Sequence, residues 1–112
     1  APGPGAMAYS SAKAALTQMA RVAALELGEH GIRVNAVHPN AVFDTGIWDE
    51  KTLQARAAAY GLTVEKYKPS NVLQKEVTSM RVAATIVALC GEDFSCTTGA
   101  QIAVDGGNDR VI

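Results

Sequence analysis

The sequence predicts an α/β protein, the closing part of a doubly wound parallel-sheet domain. Three observations point there. Two stretches read as strands, Ile32–Val37 and Gln101–Val104, and the chain between them reads as helix and loop. The order strand, helical crossover, strand implies parallel pairing, and parallel sheets are normally covered by helices on both faces. Two strands do not make an independently stable sheet. Residues 1–112 are therefore expected to be the C-terminal part of a single larger domain whose N-terminal half lies outside this sequence.

The elements follow in order. Ala1 to Ala6 alternates proline with glycine between two alanines and reads as an irregular lead-in. From Met7 to Leu27 the residues are helix formers, stopped by Gly28 with Gly31 just beyond, a helix of about 30 Å. Leu16, Met19, Ala20, Val22, Ala23, Ala24 and Leu27 leave it without a clean polar face, which predicts burial on more than one side. One side would cover the sheet and the alanine-rich remainder another subunit, with Leu16, Met19, Ala20 and Ala23 near the contact.

Ile32–Val37 should be a strand stopped by Pro39. A looser stretch runs from His38 to Gly46. Asp49 caps a helix to about Tyr60, ended by Gly61. Thr63 opens a short helical turn before Pro69. Thr78 caps a helix whose apolar stripe runs through Met80, Val82, Ala83, Ile86, Val87 and Leu89 to Gly91. Gln101–Val104 is the second strand, followed by the Asp105-Gly106-Gly107 turn.

Composition narrows the function. The 112 residues suggest one domain at most, and a formal net charge of −1 provides no basic footprint for nucleic acid. No apolar run reaches the length of a membrane span, and the opening residues lack the regions of a signal peptide. Cys90 and Cys96, with His30 and His38 far from them, fit no zinc spacing, so no metal site is expected. The two cysteines read as reduced thiols, which points to the cytoplasm. The chain opens on Ala1 rather than methionine, as a processed protein or a piece of a longer one would.

Tyr9 and Lys13 carry the candidate chemistry. Four residues apart, a phenol and an ammonium share one helix face and can converge on one ligand. A cation beside a phenol favours the phenolate, which is what a general acid/base needs. The structural alternative is a packed tyrosine and a solvated lysine.

Three blocks add context: Tyr9-Ser10-Ser11-Ala12-Lys13, then Arg33-Val34-Asn35-Ala36-Val37-His38-Pro39, then Thr98-Gly99 through Val104-Asp105-Gly106-Gly107. In this order they resemble the short-chain dehydrogenase/reductase family over nearly the whole chain. Within it, His38 to Trp48 and the closing Gly106-Gly107-Asn108-Asp109-Arg110-Val111-Ile112 look closest to the dehydrogenase part of bifunctional rhamnulose-1-phosphate aldolase/alcohol dehydrogenases. The resemblance implies a Rossmann-type domain that binds NAD or NADP and oxidises a small alcohol or reduces an aldehyde or ketone in carbohydrate metabolism. Tyr9 would be the acid/base, and Lys13 would bind the nicotinamide ribose hydroxyls and act on the tyrosine through its charge.

Pro39, Asn40, Val42 and Thr45 would belong to the loop that approaches the nicotinamide. The family usually has Pro-Gly where this chain has Pro39-Asn40, and asparagine can keep a left-handed turn there. Val42 would offer backbone groups to the carboxamide. The threonine of this loop comes one residue later than is common, at Thr45. His38 reads as a buried structural histidine, and Asn35 as a structural side chain needing partners. Trp48, Tyr60 and Tyr67 fall in the region family members use to cover substrate, with core packing the competing reading. Asp105-Gly106-Gly107 is not read as a phosphate loop, since no helix follows it, and the resemblance implies a structural turn and subunit contact there.

The glycine-rich pyrophosphate turn and the serine that assists the tyrosine in this family lie upstream of any residue here. The chain alone is expected to be inactive. The family also implies a homodimer or homotetramer formed through the 7–27 helix. The alternative to an enzyme is a non-catalytic, self-associating fragment or scaffold.

Overall fold

A computed structural model describes residues 5–108. The first residues of the lead-in and the last four of the closing motif, Asp109 to Ile112, lie outside the described residues. The element order is α1 (Met7–Leu27), β1 (Ala36–Pro39), α2 (Glu50–Ala59), α3 (Val64–Tyr67), α4 (Ser79–Leu89) and β2 (Gln101–Val104), with 3-10 turns at Gly28–His30 and Glu92–Phe94. β1 and β2 form one two-stranded sheet. The Ala36 amide donates to Ala100 O at 2.9 Å and the Asn40 amide to Val104 O at 3.2 Å. Partners thus advance together along both strands, the mark of a parallel pair. The chain forms two compact units, one from the residues up to Val37 with Val87–Ile102, the other from His38–Ile86 with the residues from Ala103 on.

In the first unit, α1 occupies the predicted range. Gly28 leads into the 3-10 turn, and Gly31, at φ +71°, supplies the left-handed residue that reverses the chain. Its amide donates to Gly28 O and that of Ile32 to Leu27 O, satisfying carbonyls at the helix end. The helix buries a strip of small residues. Ala24 is buried, Thr17, Ala20, Ala23 and Leu27 are half-buried, and a Cβ on Gly99 would sit 3.7 Å from Ala24 Cβ. Among the described residues the second face is left open: Met19 and Leu25 are 62% and 83% exposed.

The first strand starts later than Ile32. Over residues 32–35 long-range bonds replace a ladder. Arg33 donates to Leu89 O at 2.7 Å and Thr97 O at 3.1 Å, and the Val34 amide donates to Thr98 Oγ1 at 3.0 Å. Asn35 spans the same loop, its Nδ2 donating to Thr97 O and its Oδ1 accepting from the Ala100 amide. That is the structural role expected of Asn35. Pro39 is included in β1 because residues 36 and 40 face β2; position 39 has the opposite parity and owes the ladder no donor. His38 is exposed near the strand's end, correcting its reading as a buried histidine.

In the second unit, Asp49 caps α2 through a 2.7 Å bond from the Thr52 amide, and Gly61, at φ +66°, ends it. Thr63 precedes α3 in an extended conformation but makes no side-chain cap bond. Leu53 and Ala57 of α2 are buried with Phe43 and Val77. The Phe43 ring meets Trp48 edge-on at 4.8 Å and Tyr67 at 5.4 Å, and Tyr60 stacks on Tyr67 at 5.5 Å. Burial, and secondarily Tyr60, raises the Tyr67 phenol above its ordinary range. Trp48 and Tyr67 thus pack on an aromatic core, while Tyr60 remains largely exposed.

Candidate active site

Tyr9 and Lys13 lie in the first two turns of α1, and helical spacing alone brings them together. Lys13 Nζ sits 5.6 Å from the centroid of the Tyr9 ring, within cation–π range. Both side chains are exposed, Tyr9 at 67%. The pair is therefore a phenol and an ammonium side by side on an open helix face.

Pro39, Asn40, Val42 and Thr45 belong to the second unit, where one short segment holds them all. The Val42 carbonyl accepts from both the Thr45 amide at 3.3 Å and the Thr45 hydroxyl at 2.8 Å. Thr45 O then accepts from the Trp48 amide at 3.1 Å. The Thr45 hydroxyl proton is thus committed inside its own turn, and its oxygen keeps lone pairs that can accept.

Asn40 is held differently from what its sequence suggested. Among the described residues the non-glycine with positive φ is Gln74, so Asn40 does not use a left-handed turn. Instead its amide joins the ladder to Val104, and its Oδ1 accepts from Asn108 Nδ2 at 3.3 Å. Phe43, buried in the aromatic core, pins the middle of the segment. Asp44 reaches the start of α4: Oδ1 accepts from the Ser79 amide at 3.0 Å, and Oδ2 accepts from the same amide at 3.2 Å and the Ser79 hydroxyl at 2.7 Å. These bonds hold the Asp44 carboxyl below the usual aspartate range. Neither Phe43 nor Asp44 was singled out from the sequence. The available signal was a large apolar residue and an acid inside a stretch otherwise read as loose.

The glycines at the chain's end have a packing role. A Cβ on Gly106 would clash with the Asn71 side chain, and one on Gly107 would lie 3.0 Å from Val72. Gly106 and Gly107 have φ values of +66° and +81°. The Gly107 amide donates to Asp105 Oδ1 at 2.8 Å, so this amide is already used within the turn. A hollow of 340 Å³ adjoins the same turn, walled by Val77, Arg81, Thr85 and Val104. Among the described residues no cluster of three or more His, Cys, Asp or Glu side chains could hold a metal, and Cys90 and Cys96 are free and exposed. No helix among them is long and apolar enough to cross a membrane.

The chain is similar to known proteins along nearly its whole length. The family described as enoyl-(acyl carrier protein) reductase matches residues 1–109. The chain is 41% identical over 110 residues to the uncharacterized oxidoreductase YuxG of Bacillus subtilis, covering 94% of this chain and 16% of that protein. It is 35% identical over 104 residues to carbonyl reductase [NADPH] 2 of Sus scrofa, covering 93% of this chain and 40% of the relative. Among solved structures, a short chain dehydrogenase family protein from Francisella tularensis superposes with a TM-score of 0.78 at 28% identity, covering 97% of this chain and 46% of its own. The chain thus spans less than half the length of each of these relatives.

Proposed function

The chain belongs to the short-chain dehydrogenase/reductase family, and on that premise we propose that it forms the acid/base half of an NAD- or NADP-dependent oxidoreductase acting on a small alcohol, aldehyde or ketone. The observation that carries this is the Tyr9–Lys13 pair, a phenol and an ammonium 5.6 Å apart by ring centroid on an open helix face. In alcohol oxidation the Tyr9 phenolate takes the hydroxyl proton of the substrate; in reduction the Tyr9 hydroxyl returns it to the forming alkoxide. Lys13 offers three N–H donors for the ribose hydroxyls and a positive charge that favours the phenolate. Bound NAD or NADP would accept or supply the hydride.

The residues present fit such a cofactor. Lys13 is exposed and able to donate. Both lone pairs of the Val42 carbonyl are used by Thr45, which makes the Val42 amide the backbone group suited to a carboxamide oxygen. Thr45 Oγ1 can accept from the carboxamide nitrogen, and Pro39 and Asn40 set the entry of the chain into this turn. The pyrophosphate cradle and the assisting serine would come from a preceding half of the domain, and this chain alone would be inactive. A cytoplasmic, carbohydrate-metabolising enzyme is the parent we favour. The resemblance of the His38–Trp48 segment supports it.

The test is turnover. The full-length protein should reduce NAD or NADP in the presence of small hydroxy compounds, and this chain alone should bind neither in a calorimetric titration. Micromolar binding by this chain, or a full-length protein that turns over no alcohol or carbonyl compound, would overturn the reading.

A second reading, self-association through α1, is favoured by the exposed apolar side that Leu16, Met19, Val22 and Leu25 present. It predicts a dimer or tetramer in sedimentation at micromolar concentration, and a clean folded monomer would contradict it.

A further inference from the structure

We infer that Asp44 is a positioning residue for the cofactor loop, tying the turn that carries Val42 and Thr45 to the first amide of α4. The inference rests on the reading of Pro39 to Thr45 as the loop that meets the nicotinamide. α4 begins with amides that have no partner inside the helix, and its positive end favours an anion. Its own cap, Thr78, serves the Arg81 amide at 3.4 Å. The first amide, that of Ser79, is served instead by a carboxylate 35 residues earlier in the chain, together with the Ser79 hydroxyl. Asp44 stands between Val42 and Thr45, inside the turn those two residues close. Any displacement of Asp44 therefore moves the Val42 amide and the Thr45 hydroxyl with it. Phe43, the preceding residue, fixes the same point from the apolar side. The carboxylate thus sets the loop's shape before a cofactor arrives, which removes an ordering cost from binding.

The full-length protein tests this through two readouts, hydrogen exchange of the Val42–Gly46 amides and the KM for NAD or NADP. Asp44→Ala is expected to speed that exchange and raise the cofactor KM by about 10–100-fold, with a much smaller fall in kcat. Asp44→Asn should recover most of both, since asparagine caps nearly as well as aspartate. Thr78→Ala weakens the same helix end without touching the loop, so it should lower stability and leave KM unchanged. Wild-type exchange and KM in Asp44→Ala would overturn the inference. So would an equal rise in KM from Thr78→Ala, which would make Asp44 a plain stabiliser of α4. Ser79→Ala deletes only the hydroxyl bond and carries the same expectations at smaller size if Asp44→Ala does not fold. Failure of the oxidoreductase reading is separable: it shows as a full-length protein that turns over no alcohol or carbonyl compound, and it leaves the exchange result for Asp44 as it is.

Discussion

The helix that carries Tyr9 and Lys13 and the segment that carries Pro39 to Thr45 keep their shapes by different kinds of contact. α1 needs only its own backbone: the two side chains are neighbours because they are four residues apart, and the Thr17 hydroxyl adds a bond to Lys13 O at 3.0 Å. The segment after β1 has no repeating backbone pattern. It is fixed by partners far along the chain, Ser79 to Asp44 and Asn108 to Asn40, and by the Tyr67 ring of α3. Chemistry on a helix can be placed by local spacing. Chemistry on a loop has to be placed by tertiary contacts, and each of those contacts is a point where the site can be broken without touching a reacting group.

Removing the ring at the centre of the loop should break that difference open most widely. Phe43→Ala takes away a buried aromatic contacting Trp48 and Tyr67, and is expected to cost about 3–5 kcal/mol in denaturant unfolding. Lys13→Ala, at an exposed helix position, should leave the unfolding midpoint in place. Equal stability for the two variants would mean that the loop does not depend on its aromatic core.

Acid sharpens the same contrast with a smaller effect. Hydrogen bonds from Ser79 and from Thr52 hold the Asp44 and Asp49 carboxyls below the ordinary aspartate value of 3.8. A lowered folded-state value means stability that is complete above the unfolded-state value and is lost as pH falls through the folded one. The unfolding midpoint should therefore stay level with respect to these two groups down to about pH 4 and decline below it. Asp44→Asn should remove part of that acid-side decline. An unchanged acid limb in Asp44→Asn would show that the clamp to α4 contributes nothing to stability.

The same division explains what could be read from the sequence. Helix α1 was legible because a long stretch rich in alanine and leucine ends at Gly28, and β2 because Ile102 and Val104 alternate just ahead of a turn. Asp49, Gly61 and Thr78 were legible because capping and chain reversal act within a few residues. The start of β1 was not. Arg33 and Asn35 spend their side chains on Leu89, Thr97 and Ala100, partners more than fifty residues away that no window on the sequence contains. The conformation of Asn40 escaped for the same reason: a substitution that suggested a left-handed turn instead brought a side chain able to accept from Asn108. Of the candidate site, the Tyr9–Lys13 pair was visible as spacing, and the loop was visible as residues but not as a shape.

Everything said of this chain's chemistry rests on the phenol of Tyr9, and one substitution isolates it. Tyr9→Phe in the full-length protein keeps the ring over which Lys13 sits and deletes only the oxygen proposed to exchange a proton. Steady-state turnover with saturating NAD or NADP is expected to fall by about 10²–10⁴-fold while cofactor affinity stays close to wild type. Turnover at the wild-type rate would contradict the assignment of Tyr9 as the acid/base.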